Sequence, residues 1–192
     1  MTPAPSTALA HRMRTAGPDD YPAMRALAGA WFPAETLLDA ALYRHLLAAG
    51  TIHARILPRE EGPAGYYALW PLTSAAYASL RRGEKRERDL AVGDIVAPQD
   101  TRAGVLYVSD VCAAPGVSGL VLLRDMQRTL VELLRAHPHI TRVAAWAFTA
   151  QGAQLAARLG MRSVAHNAAL VETMSTAIMT RLVRQGDKDD RI

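Results

Sequence analysis

The segment from Leu106 to Leu134 constrains the fold most strongly, because its pattern is that of a strand, a glycine-containing loop and a long amphipathic helix. The strand is a nearly continuous apolar run ending at Cys112, which is typical of a strand buried on both faces of a sheet. The segment Ala113-Ala114-Pro115-Gly116 has the composition of a turn. Apolar residues then recur at helical spacing up to Leu134, so one face of this helix is expected to be buried and the other solvated.

The start of this helix predicts a site for an anion. Ser118 is the expected N-cap, because its hydroxyl can accept a hydrogen bond from a helix amide. The amides of a first turn have no partner within the helix and lie at the positive end of its dipole, where a phosphate fits. They belong to Val117, Ser118, Gly119, Leu120 and Val121. Two glycines before a helix also mark ordinary tight turns, so both interpretations stay open at this point.

Length and composition predict a single domain over residues 12–179. The chain has 192 residues, of which 50% are hydrophobic, enough to bury one core. Residues 1–11 are expected to be a disordered lead-in, and residues 180–192 a frayed polar tail. Because Cys112 is the only cysteine and no long apolar segment occurs, neither a disulfide scaffold nor a membrane span is expected, and we predict a cytoplasmic protein. The six histidines lack metal-ligand spacing, so no metal site is predicted.

The net charge of +4 and the pI of about 9.6 mildly favour acidic partners. A nucleotide-containing cofactor, an acidic carrier protein and nucleic acid all qualify. The most charged run, from Arg81 to Asp89, mixes both signs and lacks aromatic residues for base stacking, so it is expected to be solvated rather than to bind nucleic acid. This run belongs to a predicted insertion, which starts with a short helical piece around Ala75 to Leu80 and ends in a loose loop through Asp100, and we expect most of the insertion to be a mobile flap.

The order of predicted elements indicates a mixed α/β (α+β) fold. A short first strand near residues 12–16 is followed by a helix through Met24 and Leu27 and by a second helix that starts near Ala34 and stops at Gly50. Strands are then expected over residues 52–57 and 66–70, before the central unit. A strand over residues 141–148, a helix over residues 150–159 and a last strand over residues 167–174 complete the order.

This order resembles the GNAT superfamily of acyl-CoA-dependent N-acyltransferases, and the helix from Ala150 to Met161 is its best local match. The resemblance covers roughly residues 12–174. It implies a GNAT-like fold, a mixed and mostly antiparallel twisted sheet that is splayed at the central strands and flanked by about four helices. It also implies that acyl-CoA is the co-substrate, with its diphosphate on the helix N-terminus and its pantetheine passing Cys112 and Ala113 along the opened strand. The sequence leaves open whether exposed strand edges pair two copies into a homodimer.

The sequence departs from that superfamily at two motifs. The phosphate loop of that superfamily follows the pattern Arg/Gln-x-x-Gly-x-Gly/Ala, where x is any residue. With Gly119 at the first glycine, Gly116 and Val121 occupy the flanking positions. The tyrosine that often serves as its general acid corresponds to Ala156.

A second resemblance lies within the first. The loop from Asp110 to Gly119 is similar in spacing to that of bacterial toxin-activating lysine acyltransferases, which take acyl groups from acyl carrier protein and use a His–Asp pair. Asp110 would correspond to the aspartate of that pair. Their histidine corresponds to a position near Phe32 and Pro33, where this chain has none.

Asp110 is the best candidate for a catalytic residue, because it interrupts an apolar strand and a buried carboxylate must be hydrogen-bonded or used. Burial would raise its pKa toward that of a general base, although a structural carboxylate explains its position equally well. Cys112 is more readily explained as a small buried residue than as a nucleophile. His45 and His166 are further candidates to reach a cleft above the central strand.

The sequence therefore predicts an acyltransferase that moves an acetyl or longer acyl group from acyl-CoA to an amine of a small molecule or a protein. One alternative is an acyl-carrier-protein-dependent protein-lysine acyltransferase of the toxin-activating type. Another is a GNAT-fold binding module that has lost catalysis. The sequence leaves the acceptor and the acyl chain length open.

Overall fold

A computed structural model describes residues 12–60, 62–165 and 167–189, and the side chains within these ranges except those of Glu35 and residues 184–189. The seven strands are β1 (Arg14–Thr15), β2 (His53–Arg59), β3 (Gly62–Thr73), β4 (Ala103–Ala113), β5 (Arg142–Trp146), β6 (Arg162–Val164) and β7 (Asn167–Met174). The six α-helices are α1 (Tyr21–Gly29), α2 (Ala40–Ala48), α3 (Ser74–Arg81), α4 (Leu120–Ala136), α5 (Ala150–Arg158) and α6 (Ser175–Asp189). The predicted lead-in, residues 1–11, lies outside the described residues.

The strands form one sheet in the order β1-β2-β3-β4-β5-β7-β6. Every neighbouring pair is antiparallel except β4 and β5, which are parallel and joined by α4 as a crossover helix. Their pairing covers only Val105–Val108 against Arg142–Ala145, so in the described chain the second half of β4 has no strand beside it on that edge. The predicted mixed, mostly antiparallel sheet that splays at its central strands is thereby confirmed.

A β-bulge lies where the splay begins. Ala68 of β3 faces Asp110, whereas the next residue, Leu69, faces Val108, so Ser109 is an extra residue on β4. A bulge increases the local twist and redirects a side chain. The bulge thus gives the polar residue Ser109 a position outside the regular pairing, at the centre of an otherwise apolar strand.

The sheet separates two hydrophobic layers, because alternate residues of a strand point to opposite faces. One layer packs against α1, α2 and α3, with Met24, Leu46 and Leu80 among its fully buried residues. The other packs against α4, α5 and α6. The buried face of α4 is the predicted one and consists of Leu122, Met126, Leu130, Leu133 and Leu134.

Polar contacts fix α4 against the sheet beneath it. Asp125 of α4 accepts hydrogen bonds from the Tyr67 hydroxyl, with 2.7 Å between the oxygens, and from Arg55 Nε at 2.7 Å. Thr129, one turn further along, lies 2.8 Å from the same hydroxyl. These contacts hold α4 to β2 and β3 and so fix the position of its N-terminus.

The second helix begins later than predicted. Residues Ala34–Thr36 form a single 3₁₀ turn, and α2 starts only at Ala40, where the Asp39 side chain accepts a hydrogen bond from the Leu42 amide at 2.9 Å. This carboxylate cap, typical of helix starts, was missed because apolar residues at helical spacing precede it.

The C-terminal end also differs from the prediction. Both β6 and α6 were missed, and the sheet has six α-helices around it where about four were predicted. Helix α6 continues past Thr180 to Asp189, and Leu182 is buried against the sheet, so the frayed tail predicted to start at residue 180 is wrong for this stretch. Residues 190–192 lie outside the described part of the chain.

The segment between α3 and β4 is packed rather than loose, which corrects the predicted flap. Leu90, Ile95 and Val96 in it are buried, and Lys85 pairs with Asp94 at 2.6 Å. Glu87, in the run expected to be solvated, is buried against the sheet. Within the described residues, no helix is both long and apolar enough to cross a membrane.

Candidate active site

The open edge of β4 presents backbone groups that no strand of the described chain pairs with. The Ala114 amide donates to the Ala64 carbonyl at 2.9 Å, so Ala113, which faces Gly65, belongs to the alternate set of residues whose N–H and C=O point away from β3. The Trp31 indole N–H donates to the Ala113 carbonyl from this side at 3.1 Å. An unpaired strand edge of this kind binds amide groups of another molecule in the manner of an added strand.

A groove with a cavity volume of about 470 Å³ runs along this edge between α4 and α5. Val111 and Ala113 form its floor, and Trp31 and Phe32 border it from the loop after α1. Gly119, Leu122 and Leu123 contribute the α4 wall, and Gln151, Gly152, Gln154, Leu155 and Arg158 the α5 wall.

The start of α4 opens into the groove. Its N-cap is Gly119 rather than the predicted Ser118, whose hydroxyl instead accepts a hydrogen bond from the Leu120 amide at 3.3 Å. The Val117 amide donates to Ala114 within the preceding turn at 3.1 Å. The helical ladder starts with the bond from Leu123 to Gly119, which leaves the Val121 amide in the first turn without a helical acceptor. A Cβ added at Gly119 would meet nothing within 4 Å, so the approach to this turn is open.

The groove continues inward to a smaller apolar cavity of about 90 Å³ between the splayed ends of β4 and β5. Phe32, Val111 and Leu155 line both cavities. Trp146 stacks on Phe148 with 5.6 Å between the ring centroids. Other lining residues include Val108, Ser109, Met126, Ala145, Ala156, Leu159 and Met161.

A cluster of two buried carboxyl groups lies on the α1–α2 side of the bulge. Asp110 is 5% exposed and Glu87 is 6% exposed. The Ser109 hydroxyl oxygen lies 3.0 Å from Asp110 Oδ2 and 3.3 Å from Glu87 Oε1. Tyr107 donates to Glu87 Oε2 at 2.7 Å, and Tyr43 donates to Asp110 Oδ2 at 3.5 Å.

The environment raises the pKa values of both carboxyl groups by unequal amounts. Burial raises the pKa of Asp110 to about 6, while hydrogen bonds from Ser109 and Tyr43 and the charge of Arg25 hold it down. Burial and the negative charge of Asp110 raise the pKa of Glu87 to about 8, against the hydrogen bonds from Tyr107 and Ser109. Two neighbouring carboxyl groups whose pKa values are pushed apart are the arrangement from which an acid and a base are made.

The structure separates Cys112 from the groove. Its side chain is 1% exposed and lies in the layer beneath α1 and α2, and burial raises the pKa of its thiol. Its backbone pairs with Tyr66 on the β3 side. A thiol kept protonated in this way is a poor nucleophile, and of the two neighbouring residues predicted to contact a cofactor, only Ala113 faces the groove.

His45 is exposed on α2, and His166 lies outside the described residues. Among the side chains that the structure describes, no three His, Cys, Asp or Glu residues are placed to hold a metal ion.

Glu87 is the site residue that sequence reasoning missed. It lies among Lys85, Arg86, Arg88 and Asp89, and a charge within such a run usually faces water. Nothing in the local pattern distinguishes it, because its burial depends on contacts with Tyr107 and Ser109, about twenty residues further along.

No protein-family model matches the sequence, and neither does any curated protein. Solved structures do share its fold. YhbS from Escherichia coli, a GNAT-family N-acetyltransferase in complex with CoA, is 18% identical with a TM-score of 0.56, over 91% of this chain and 88% of that one. The GNAT-like decarboxylase GphF, in complex with isobutyryl-CoA, is 22% identical with a TM-score of 0.52 over 71% of this chain, which spans 65% of the length of GphF. A putative GNAT-family acetyltransferase from Desulfovibrio desulfuricans is 14% identical with a TM-score of 0.50, over 85% of this chain and 98% of that one.

Identities this low establish the fold and leave the reaction open, since a transferase and a decarboxylase are both among these structures. The chain has a GNAT-like fold, as the resemblance in its sequence implied.

Proposed function

We propose that this protein is an acyltransferase that moves an acyl group from acyl-CoA to an amine. The observation that carries this proposal is the open edge of β4, which runs from the start of α4 to the buried carboxyl group of Asp110. An elongated amide-containing donor and a proton acceptor thereby meet at one strand.

The donor would occupy the groove from end to end. Its diphosphate would lie against the amides of the first turn of α4, including Val121, where the helix dipole favours negative charge. Its pantetheine amides would bond to the backbone edge at Val111 and at the amide of Ala113, whose carbonyl already accepts from Trp31, and the acyl group would enter the inner cavity. Two of the structures with the same fold are described as complexes with CoA or isobutyryl-CoA, which supports this choice of donor.

The acceptor would reach the bulge from the side of α1 and α2, where Asp110 lies. In the transfer, the amine nitrogen forms a bond to the thioester carbon and the carbon–sulfur bond breaks. Asp110 accepts the proton that the nitrogen loses, and the sulfur leaves as a thiolate that must itself take up a proton. The pKa of Asp110, about 6, leaves this carboxyl group ionised and ready to act as a base near neutral pH.

Thermal stability in the presence of acyl-CoA tests the donor site. Ligand at 100 times its dissociation constant is expected to stabilise the fold by about 2.7 kcal/mol, which raises the melting temperature measurably. Gly119→Glu places a negative charge at the start of α4 in open space and should abolish the shift. Gly93→Glu is the matched control, because a Cβ at Gly93 also meets nothing within 4 Å and this residue lies in the segment before β4, outside the groove lining.

The result separates the proposal from its alternatives. No shift with any acyl-CoA up to millimolar concentration, combined with acylation of a protein lysine by acyl carrier protein, would favour the carrier-dependent enzyme. A shift without transfer to any amine would favour the binding module. An equal shift in Gly119→Glu would contradict the proposed position of the diphosphate.

A further inference from the structure

We infer that Glu87, acting through the hydroxyl group of Ser109, supplies the proton that the departing coenzyme thiolate takes up. The inference rests on the proposed acyl transfer and assigns its missing general acid, since the position of the superfamily's tyrosine holds Ala156. Ser109 is the catalytic residue, because it lines the inner cavity where the thioester would lie. Glu87 is a positioning residue that holds the proton behind it.

The hydrogen-bond geometry is satisfied when one of the two carboxyl groups carries a proton. The Ser109 hydroxyl has a single hydrogen, yet its oxygen lies within hydrogen-bond distance of Asp110 at 3.0 Å and of Glu87 at 3.3 Å. One contact is therefore made by the Ser109 hydrogen, and the other is satisfied when the carboxyl group donates. A protonated carboxyl group that donates to Ser109, whose own hydrogen goes to the other carboxylate, satisfies both contacts.

The surroundings assign that proton to Glu87. Tyr107 donates to Glu87 Oε2, so Oε1, the oxygen next to Ser109, is the one free to bear the proton. Asp110 receives the shorter bond from Ser109, a bond from Tyr43 and the favourable charge of Arg25, all of which stabilise its ionised form. Burial raises the pKa of both carboxyl groups, and the negative charge of Asp110 raises that of Glu87 further, which agrees with this assignment.

The other groups that face the pair leave the assignment unchanged. They are protonated tyrosines, one thiol and one arginine, namely Tyr21 and Arg25 of α1, Tyr43 of α2, Tyr66 of β3, and Tyr107 and Cys112 of β4. Burial raises the pKa of every one of these tyrosines and of the thiol, so they stay neutral across the pH range in which the two carboxyl groups titrate.

The protons balance over one turnover. Asp110 accepts the proton from the attacking amine. When the carbon–sulfur bond breaks, the Ser109 hydrogen moves to the thiolate and the Glu87 proton moves to Ser109. The proton on Asp110 then returns through Ser109 to Glu87, which restores the starting state and leaves an amide and a free thiol as the products.

A pH profile of turnover with acyl-CoA and a primary alkylamine tests the inference. The wild type should show an acidic limb from ionisation of Asp110 and an alkaline limb from ionisation of Glu87. Glu87→Gln keeps a donor to Ser109 but has no transferable proton, so it should lose the alkaline limb. Ser109→Ala should lower turnover roughly 10²-fold, as expected for loss of a positioned acid, and Ser109→Thr should restore part of it.

The leaving group distinguishes proton donation from a purely structural role. A thioester of 4-nitrothiophenol releases a thiolate that needs no proton, so the defects of Glu87→Gln and Ser109→Ala, each relative to wild type, should nearly vanish with this donor. Glu84→Gln is the matched control, because Glu84 lies in the same segment but pairs with Arg82 at the surface, 2.6 Å away. If Glu87→Gln and Ser109→Ala each lose as much turnover with the 4-nitrothiophenol thioester as with acyl-CoA, the inference is overturned.

Carbon-13 NMR titration of the side-chain carboxyl groups provides a readout that does not need turnover. We expect Glu87 to ionise after Asp110, and at lower pH in Asp110→Asn than in wild type, because the neighbouring negative charge is gone. Ionisation of Glu87 before Asp110 would overturn the inference even in an active enzyme. Ordered ionisation together with acyl-CoA binding but no acyl transfer would instead refute the proposed function, and with it the role of the proton.

Discussion

At the scale of single residues, burial of Asp110 has a cost in stability, and the proposed catalytic role would account for it. Its carboxyl group has a folded-state pKa of about 6, above the value of about 3.9 in an unfolded chain. The contribution of this carboxyl group to the free energy of unfolding is therefore greatest below pH 4, where it is protonated, and is lost as the pH rises through 6. A residue that makes the fold less stable at the pH where it is ionised is typical of an active site rather than of a structural contact.

Asp110→Asn should make the protein more stable and less active at the same time. At pH 8 the uncharged amide avoids the burial of a charge, and the free energy of unfolding should rise by an amount on the order of 1–3 kcal/mol relative to wild type. Near pH 4 the difference should disappear. Acyl transfer at pH 8 should fall by roughly 10²–10⁴-fold, the usual contribution of a positioned base.

Urea denaturation and turnover measured on one preparation check both parts. Full activity in the Asn variant would rule out Asp110 as the base. A loss of stability at pH 8 would show that the hydrogen bonds from Ser109 and Tyr43 matter more than burial of the charge, which favours the structural explanation.

The two carboxyl groups also show which residues a sequence reveals. Asp110 could be predicted because it interrupts an apolar strand, and a polar residue in that context needs a reason. Glu87 could not, because its neighbours along the chain are charged and its partners Tyr107 and Ser109 belong to a distant strand.

At the scale of elements, α5 forms one wall of the inner cavity, which would hold the acyl group in the proposed reaction. Ala156 contributes only a methyl group to the cavity wall, opposite Val108 and Ala145 of the two splayed strands. The cavity is apolar throughout this region, so extra methylene groups on the donor would each gain about 0.8 kcal/mol on burial.

Ala156→Phe should shift the preference of the enzyme toward shorter acyl groups. The larger ring fills the inner cavity, so the melting-temperature shift and kcat/KM with butyryl-CoA should fall more than those with acetyl-CoA. Ala157→Phe is the matched control, because Ala157 is exposed on the same helix. An equal effect on both donors would show that the inner cavity does not hold the acyl group.

Element boundaries were predictable where the chain carries its own stop signals. Helix α5 begins after Thr149, whose hydroxyl caps the Gly152 amide, and its end is marked by Gly160 with a φ of 78°. The start of α2 was misplaced because Leu37 and Leu38 extend its apolar pattern backward, although the chain there is not α-helical. An apolar pattern shows which residues are buried, whereas a cap shows where a helix begins.

At the scale of the whole molecule, the buried pair should make the stability of the fold depend on pH. Glu87 has a folded-state pKa of about 8, well above its ordinary value of 4.5. Its contribution to stability is therefore complete below about pH 4 and is lost as the pH rises through 8. Burial lowers the pKa of His53, so protonation of this imidazole below about pH 6.5 lowers the stability of the fold. A pH profile of wild-type stability therefore mixes the effects of Glu87 and His53.

Comparison with Glu87→Gln isolates the carboxyl group, since His53 is the same in both proteins. The two free energies of unfolding should be similar at pH 5. The variant should become the more stable protein toward pH 9, by an amount on the order of a few kcal/mol. Urea denaturation across this range provides the measurement, and parallel curves for the two proteins would contradict a raised pKa at Glu87.

The sequence by itself determined the central strand, the loop and helix α4 that follow it, the buried face of that helix, and the isolated carboxylate of Asp110. These features depend on periodicity and on turn composition, which are local properties of a chain. Only the tertiary structure decided that β4 extends beyond its pairing with β5, that Gly119 rather than Ser118 is the N-cap of α4, that Cys112 faces away from the groove and that Glu87 reaches Ser109. Each of these is decided by contacts between segments that are distant along the chain or by the detailed path of a loop, and neither leaves a periodic pattern in the sequence.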